Sequence, residues 1–338
     1  MLRLRVGIEE MERNAVKRLL ATTLLAAVFV VTPLLAFANT NVPTVVVAVG
    51  APGEPEFGSN FVEQVELWKK TCDRAKANVV RIGLEETNSP TDAERLKQVL
   101  TAEATNGMEP LWLVMIGHGT FDGKEARFNL RGPDVSATEL AEWLKPLQRP
   151  LIVIDCTSCS APFLNKLSGT NRVIVTATRS GNEANFARFG LHFAEALADD
   201  GSDLDKDGQV SLLEAFLMAS RNVAEFYKSE GRLATEHALI DDNGDGLGTP
   251  ADWFRGVRAI KKAKDSATLD GTRAQQFHLV LSAEEQALTP EIRARRNDLE
   301  LAVARLRESK AQMAEDEYYK RLEALLLELA RLDGQQHR

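Results

Sequence analysis

The sequence predicts an α/β sandwich, a mostly parallel sheet covered by helices on both faces, with a helical hairpin at its C-terminal end. Three observations lead there. Short runs of continuous apolar, β-branched residues alternate with helical segments from Asn41 onward. Strands that are apolar on both faces pair in parallel beneath helices. Beyond Leu281 the composition shifts to a charged stretch rich in Leu and Ala. The 338 residues, 44% hydrophobic and 27% charged, suffice for one sizeable core and an appendage of several tens of residues.

Residues 1–38 read as a signal peptide rather than as part of the fold. Arg13, Lys17 and Arg18 precede an apolar run over 19–37, which closes on the small-x-small triplet Ala36-Phe37-Ala38. A start at Met11 gives a leader of more ordinary length, and an uncleaved run would anchor the chain in a membrane. The remainder is then exported, periplasmic or secreted.

The main domain spans residues 41–280. Thr44–Val49 (TVVVAV) is a buried strand, residues 61–77 a helix with Phe61, Val65 and Trp68 along one face, and residues 78–83 a second strand. Thr91, with Glu94 three residues on, makes a capping box that opens a helix over 91–105. Leu111–Ile116, residues 151–154 and residues 172–177 supply three more apolar strands, with a helix over Ala137–Leu144 between the first two of them. In such a sheet the active site is expected at the carboxyl ends of the strands.

Residues 283–333 form the hairpin or coiled coil. Thr289-Pro290-Glu291 is a helix start with Pro at the first position. Ile292, Leu299, Leu306 and Met313 recur every seven residues, and Leu322, Leu325, Leu326, Leu329 and Leu332 make a second stripe. Two antiparallel helices fit this spacing and offer a surface for self-association. A net charge of −8, with no basic stripe outside the N-terminus, excludes nucleic acid as the main partner.

Candidate chemistry sits where two strands end. Gly117-His118-Gly119 follows Leu111–Ile116, so the imidazole has little neighbouring side chain to cover it and the Gly119 amide can approach a ligand closely. Cys156 holds the matching place after residues 151–154. If the two strands are neighbours, thiol and imidazole face one cleft, with His118 as the base and the Gly119 N–H as a donor to an oxyanion. The residues leave two other readings open. Cys156-Thr157-Ser158-Cys159 has the spacing of a thioredoxin-type redox pair, and both thiols can simply be buried. With only Cys72, Cys156 and Cys159 in the chain, a disulfide scaffold is excluded and at least one thiol is expected to be free.

These two strand ends resemble clan CD cysteine peptidases, the group of caspases, legumains and GPI-anchor transamidases, in which one hydrophobic strand ends in His-Gly and the next in the nucleophilic Cys. Residues 112–119 (WLVMIGHG) match the His block. Residues 156–160 (CTSCS) resemble the legumain-type Cys-x-Ser-Gly-Ser block with Cys159 at the glycine position, and residues 173–178 resemble the following strand. The likeness runs over residues 44–193. It implies a caspase-like three-layer sandwich and cleavage of a peptide or protein substrate through a thioester. His118 would be general base and acid, Cys156 the nucleophile, and the Gly119 and Cys156 amides the oxyanion donors, with no third group required to orient the histidine. Legumains carry Glu two residues before the Cys and acidic pocket residues beyond the next strand; here stand Ile154 and Gly190-Leu191-His192, so asparaginyl specificity does not carry over. Arg179 borders the expected pocket and is the candidate partner of an acidic substrate residue, a solvated surface Arg being the plainer reading. An inactive caspase-like binding module and a CxxC thiol–disulfide oxidoreductase are the alternative functions.

A second motif lies apart from this. Residues 203–214 (DLDKDGQVSLLE) match an EF-hand loop at positions 1, 3, 5, 6, 8 and 12. The expected Ca²⁺ ligands are Asp203, Asp205, Asp207, the Gln209 carbonyl, a water near Ser211, and Glu214. The ion would pin an acidic insert at residues 200–216 against the core. Residues 241–246 (DDNGDG) repeat the first half of such a loop, with Asp252 at the twelfth place. A degenerate partner loop, a donor of ligands to the first site and a plain turn all fit that repeat.

Overall fold

Five parallel strands form the centre of the molecule: β1 (Thr44–Val49), β2 (Asn78–Ile82), β3 (Leu111–Ile116), and, after three short strands, β7 (Leu151–Asp155) and β8 (Arg172–Thr176). The computed structural model describes residues 42–85, 89–104, 107, 109–266 and 268–336; the predicted signal peptide lies outside them. No helix among the described residues is long and apolar enough to cross a membrane. The intervening strands β4 (Gly119–Phe121), β5 (Ala126–Phe128) and β6 (Val135–Ser136) make a separate antiparallel sheet. With β9 (Leu239–Asp241) and β10 (Thr249–Pro250) added antiparallel at one edge, the main sheet has the order β10-β9-β8-β7-β3-β1-β2.

Strict alternation divides each central strand between two cores. Val45, Val47 and Val49 of β1, Trp112, Val114 and Ile116 of β3, and Ile152 and Ile154 of β7 face one side. There they meet Phe61, Val65 and Trp68 of α1 (Pro55–Ala75). The other faces run through Leu113, Met115 and Val153 into α2 (Asp92–Glu103), α3 (Ala137–Leu144) and α4 (Ala161–Leu167), by way of Leu96, Leu140 and Phe163. Helices α5 (Phe189–Ala198) and α6 (Leu212–Ser229) complete the first layer with Phe189, Phe193 and Phe216. Each such buried side chain contributes about 1.5–3 kcal/mol relative to exposure. The three-layer sandwich is the predicted fold class.

Helix α1 starts at Pro55 rather than at residue 61, because Pro lacks only an N–H that a first helical residue leaves unbonded anyway. The Thr91–Glu94 capping box is present, and Ser136 with Glu139 makes another on α3. A hairpin, β11 (Phe254–Arg255) with β12 (Arg258–Ala259), and two short helices, α7 (Thr272–Gln275) and α8 (Ala283–Ala287), lead to α9 (Pro290–Glu308) and α10 (Glu315–Gln336). Leu299 and Leu306 are buried as their spacing predicts, whereas Met313 sits in extended backbone between the two helices, outside the stripe it was expected to extend. Arg296 fastens α9 to α8 through two hydrogen bonds to Glu285, at 2.6 and 2.7 Å.

Candidate functional site

The order of the sheet reverses at β1, whose neighbours are β2 and β3, and the chain leaves β1 and β3 in opposite directions there. Such a switch point opens a crevice at the carboxyl ends of the strands. His118 stands at that end of the sheet, two residues beyond β3. β7 is the immediate neighbour of β3, pairing from Leu111↔Leu151 to Met115↔Asp155. Because side chains alternate, His118 follows Ile116 and Cys156 follows Ile154 onto one face of the sheet. His118 packs beside Phe57 and Phe61 of α1, and Cys156 belongs to the core cluster that contains Phe61.

The group that orients the imidazole is a backbone carbonyl. Nε2 of His118 lies 3.1 Å from the Pro52 oxygen, in the segment leaving β1. With Nε2–H donating there, Nδ1 is the nitrogen left to take a proton. No side-chain motif encodes this partner.

Cys156 lies deeper than expected. It is 3% exposed, and its thiol hydrogen bonds weakly to the Ile154 carbonyl at 3.9 Å. Burial pushes the thiol well above its ordinary pKa, and the Asp155 and Glu236 carboxylates push it further. The first turn of α5 covers it: a methyl group on Gly190 would lie 2.6 Å from Cys156 Cβ and 2.5 Å from Gln64 Oε1, so only glycine lets the helix approach. Helix N-termini favour thiolates, but here Glu236 accepts the Arg188 and Phe189 amides at 2.8 and 2.9 Å and neutralises that end. Gln64 Oε1 is buried without a hydrogen-bond partner. Glu236 and Gln64 carry no sequence signal, one following a helix in a loop and the other reading as one polar residue of an amphipathic helix.

The two expected oxyanion donors are engaged. The Cys156 amide donates to Met115 O at 2.9 Å and so extends the β3–β7 ladder, which differs from its expected role. The Gly119 amide donates to Ser158 Oγ at 3.1 Å, whose hydroxyl returns a bond to Gly119 O at 3.2 Å. Gly119 must be glycine, since a Cβ would lie 2.1 Å from the Ser158 carbonyl oxygen. Behind these residues Asp155 is fully buried, with Oδ1 accepting from the Thr157 amide and hydroxyl and Oδ2 without a partner. Burial raises its pKa to about 7.

Arg179 is exposed and pairs with Glu183 at 3.3 Å. The same carboxylate meets His237 Nδ1 at 2.6 Å, and the Glu183 carbonyl accepts the Cys159 amide at 2.9 Å. Cys159 has φ of +56°, a left-handed conformation that glycine adopts most readily. Helix α4 begins only at Ala161, so neither Cys156 nor Cys159 lies in its first turn, unlike the thiols of a thioredoxin-type pair. All three cysteines are free.

At the acidic loop, Asp203, Asp205 and Glu214 bring one oxygen each within 4.8 Å of one another. Asp207 stands outside this cluster: it accepts the Gln209 amide at 2.9 Å and lies 3.8 Å from His278 Nε2. Asp203 takes the Lys206 and Gly208 amides, and Glu214 takes those of Leu204 and Asp205 while capping α6 through Ser211. An all-oxygen donor set of this kind suits a hard cation such as Ca²⁺. Asp207 and the Gln209 carbonyl lie within the same turn.

The loop over 241–246 repeats this conformation bond for bond. Asp241 accepts from Gly244 and Gly246 as Asp203 does from Lys206 and Gly208, and these four residues all have positive φ. Asp270 takes the place of Glu214, accepting the Asp242 and Asn243 amides and the Thr249 hydroxyl. Asp252, the residue at the twelfth position in sequence, lies in the middle of a short 3-10 turn, Ala251–Trp253, instead.

No protein-family model and no curated protein matches the chain. Solved structures similar to it include the Drosophila initiator caspase Dronc, at 12% identity, 61% of this chain, 82% of that chain and a TM-score of 0.43. Caspase-1 from Spodoptera frugiperda follows at 9% identity, 60% and 87% coverage and a TM-score of 0.38. Raptor from Chaetomium thermophilum is similar over 46% of this chain and 17% of its own, at 12% identity and a TM-score of 0.33.

Proposed function

We propose that this chain is an exported, calcium-stabilised cysteine peptidase that cleaves peptide bonds through a thioester on Cys156. The observation that supports this most directly is the placement of His118 and Cys156 at the carboxyl ends of adjacent parallel strands, on one face of the sheet, beside its switch point.

Nδ1 of His118 takes the thiol proton as sulfur attacks the substrate carbonyl. The C–N bond then breaks, the same proton passes to the leaving amine, and water hydrolyses the thioester with His118 again as base. Ser158 turns aside to release the Gly119 N–H for the oxyanion. Because Cys156 is covered by the first turn of α5, substrate reaches the thiol only after that turn shifts outward. Asp203, Asp205 and Glu214, with Asp207 and the Gln209 carbonyl from the same turn, would hold Ca²⁺, whose charge would offset that of the carboxylates. Arg179 lines the rim. The leader over residues 1–38 directs export.

The buried thiol favours one second reading, a caspase-like binding module without turnover. Assay of the mature chain on fluorogenic peptides with and without Ca²⁺, beside Cys156→Ala, separates the two. Turnover lost in Cys156→Ala supports the peptidase; no turnover in either calcium state, with Cys156 alkylated no faster than a free thiol, sinks it.

A further inference from the structure

We infer that the substrate residue on the acyl side of the scissile bond carries an apolar side chain, aromatic or large aliphatic, received by Phe57, Phe61 and Phe186; this rests on the peptidase reading above. The imidazole of His118 is boxed by these rings, with centroids at 4.9 Å for Phe57, 5.5 Å for Phe61 and 6.1 Å for Phe186, all edge-on to it. Phe57 and Phe61 are one helical turn apart on α1 and so present to the same side. Phe186 reaches across from the segment before α5 and packs on Phe57 at 4.8 Å. Phe61 is buried, while Phe57 and Phe186 keep part of their surface open beside the base.

Geometry makes these rings the first surface a substrate side chain meets. A general base works at hydrogen-bond distance, about 3 Å, from the reacting atoms. The side chain on the neighbouring α-carbon therefore falls among groups only a few ångströms further out.

The charges near this box already have counter-charges. Arg179 is held by Glu183, and Glu183 also by His237. The Arg188 guanidinium lies over the Phe226 ring at 4.2 Å and the Phe186 ring at 5.9 Å, and its charge is opposed by the buried Glu236 carboxylate. An ionised substrate side chain would lose water among phenyl rings without gaining a partner, whereas an apolar one gains burial. This differs from the pairing of Arg179 with an acidic residue that the sequence suggested.

The experiment is a panel of fluorogenic peptides, identical except for Phe, Leu, Ala, Asp, Asn, Lys or Arg at that position, run on the full mature chain in Ca²⁺. We expect kcat/KM for Phe and Leu to exceed that for Asp, Asn and Lys by about 10-fold or more. Phe186→Ala should cut the Phe-to-Ala selectivity ratio about 10-fold, and Phe186→Leu should restore most of it. Thermal unfolding of both variants shows whether a loss of rate is a loss of fold, and the selectivity ratio is independent of the active fraction. A preference for Asp, Asn, Lys or Arg, or a ratio unchanged in Phe186→Ala, overturns the apolar pocket and leaves the peptidase standing. No turnover on any peptide overturns the peptidase reading and the pocket with it.

Discussion

Pro52 and His118 come from the ends of two neighbouring strands, and the carbonyl of the first holds the imidazole of the second at 3.1 Å. This contact fixes the tautomer without a third side chain. Replacement of His118 by Ala should lower kcat on a fluorogenic peptide by about 10²- to 10⁴-fold, the ordinary worth of a general base. The same variant should also melt lower, since the imidazole packs against Phe57, Phe61 and Phe186 as well as bonding Pro52, so kcat is read per folded molecule.

Glu236 acts on Cys156 through charge. It caps α5, and its carboxylate helps raise the thiol pKa after burial itself. Glu236→Gln keeps an oxygen for the Arg188 and Phe189 amides but removes the negative charge. The thiolate is then less disfavoured, so the midpoint of iodoacetamide alkylation of Cys156 against pH should move to lower pH. An unmoved or higher midpoint would show that burial and Asp155 set the thiol without Glu236.

Calcium should stabilise the fold through the Asp203 loop. At a free concentration about 100 times Kd, a single site contributes about 2.7 kcal/mol. Chelation should therefore lower the melting temperature, and Glu214→Gln should abolish that response. Calcium titration by calorimetry at neutral pH gives the direct check.

Asp270 predicts a pH dependence of stability. Burial, then repulsion from Asp242, raises its pKa from 3.8 to about 8 in the folded chain. A raised folded value means that the native state holds its proton more tightly than the unfolded one. The contribution is full below pH about 4 and is lost as pH rises through about 8. In calcium-free buffer the melting temperature should fall over that interval, and Asp270→Asn should flatten the slope. A melting profile that rises across the same interval in wild type would reverse the assignment.

Much of the fold is legible in the chain because β1, β3, β7 and β8 are long runs of branched apolar residues whose two buried faces demand helices on both sides. The short strands β4, β5 and β6 are not legible, since two or three residues carry no period. The positions of His118 and Cys156 are legible because each follows such a run, and the pairing of β3 with β7 sets the two strand ends side by side. Pro52 escapes because a carbonyl belongs to every residue. Glu236 escapes because its effect depends on α5 lying over the thiol. Met313 shows the reverse case, a seven-residue spacing that continues past the end of the helix it should mark. The depth of Cys156 follows from Gly190, whose missing side chain admits the helix.

The exchange of Glu214 for Asp270 also sets an order of events during folding. In the first loop the closing carboxylate is ten residues from the Leu204 amide it accepts, so the turn can form from its own segment. In the second, Asp270 is 28 residues from the Asp242 amide, with β10 and the β11–β12 hairpin lying between. Closing so long an excursion costs more chain entropy and waits on its contacts. One turn is thus a nucleus available to a nascent chain, and its twin is a clasp that shuts only when the sheet edge is already built.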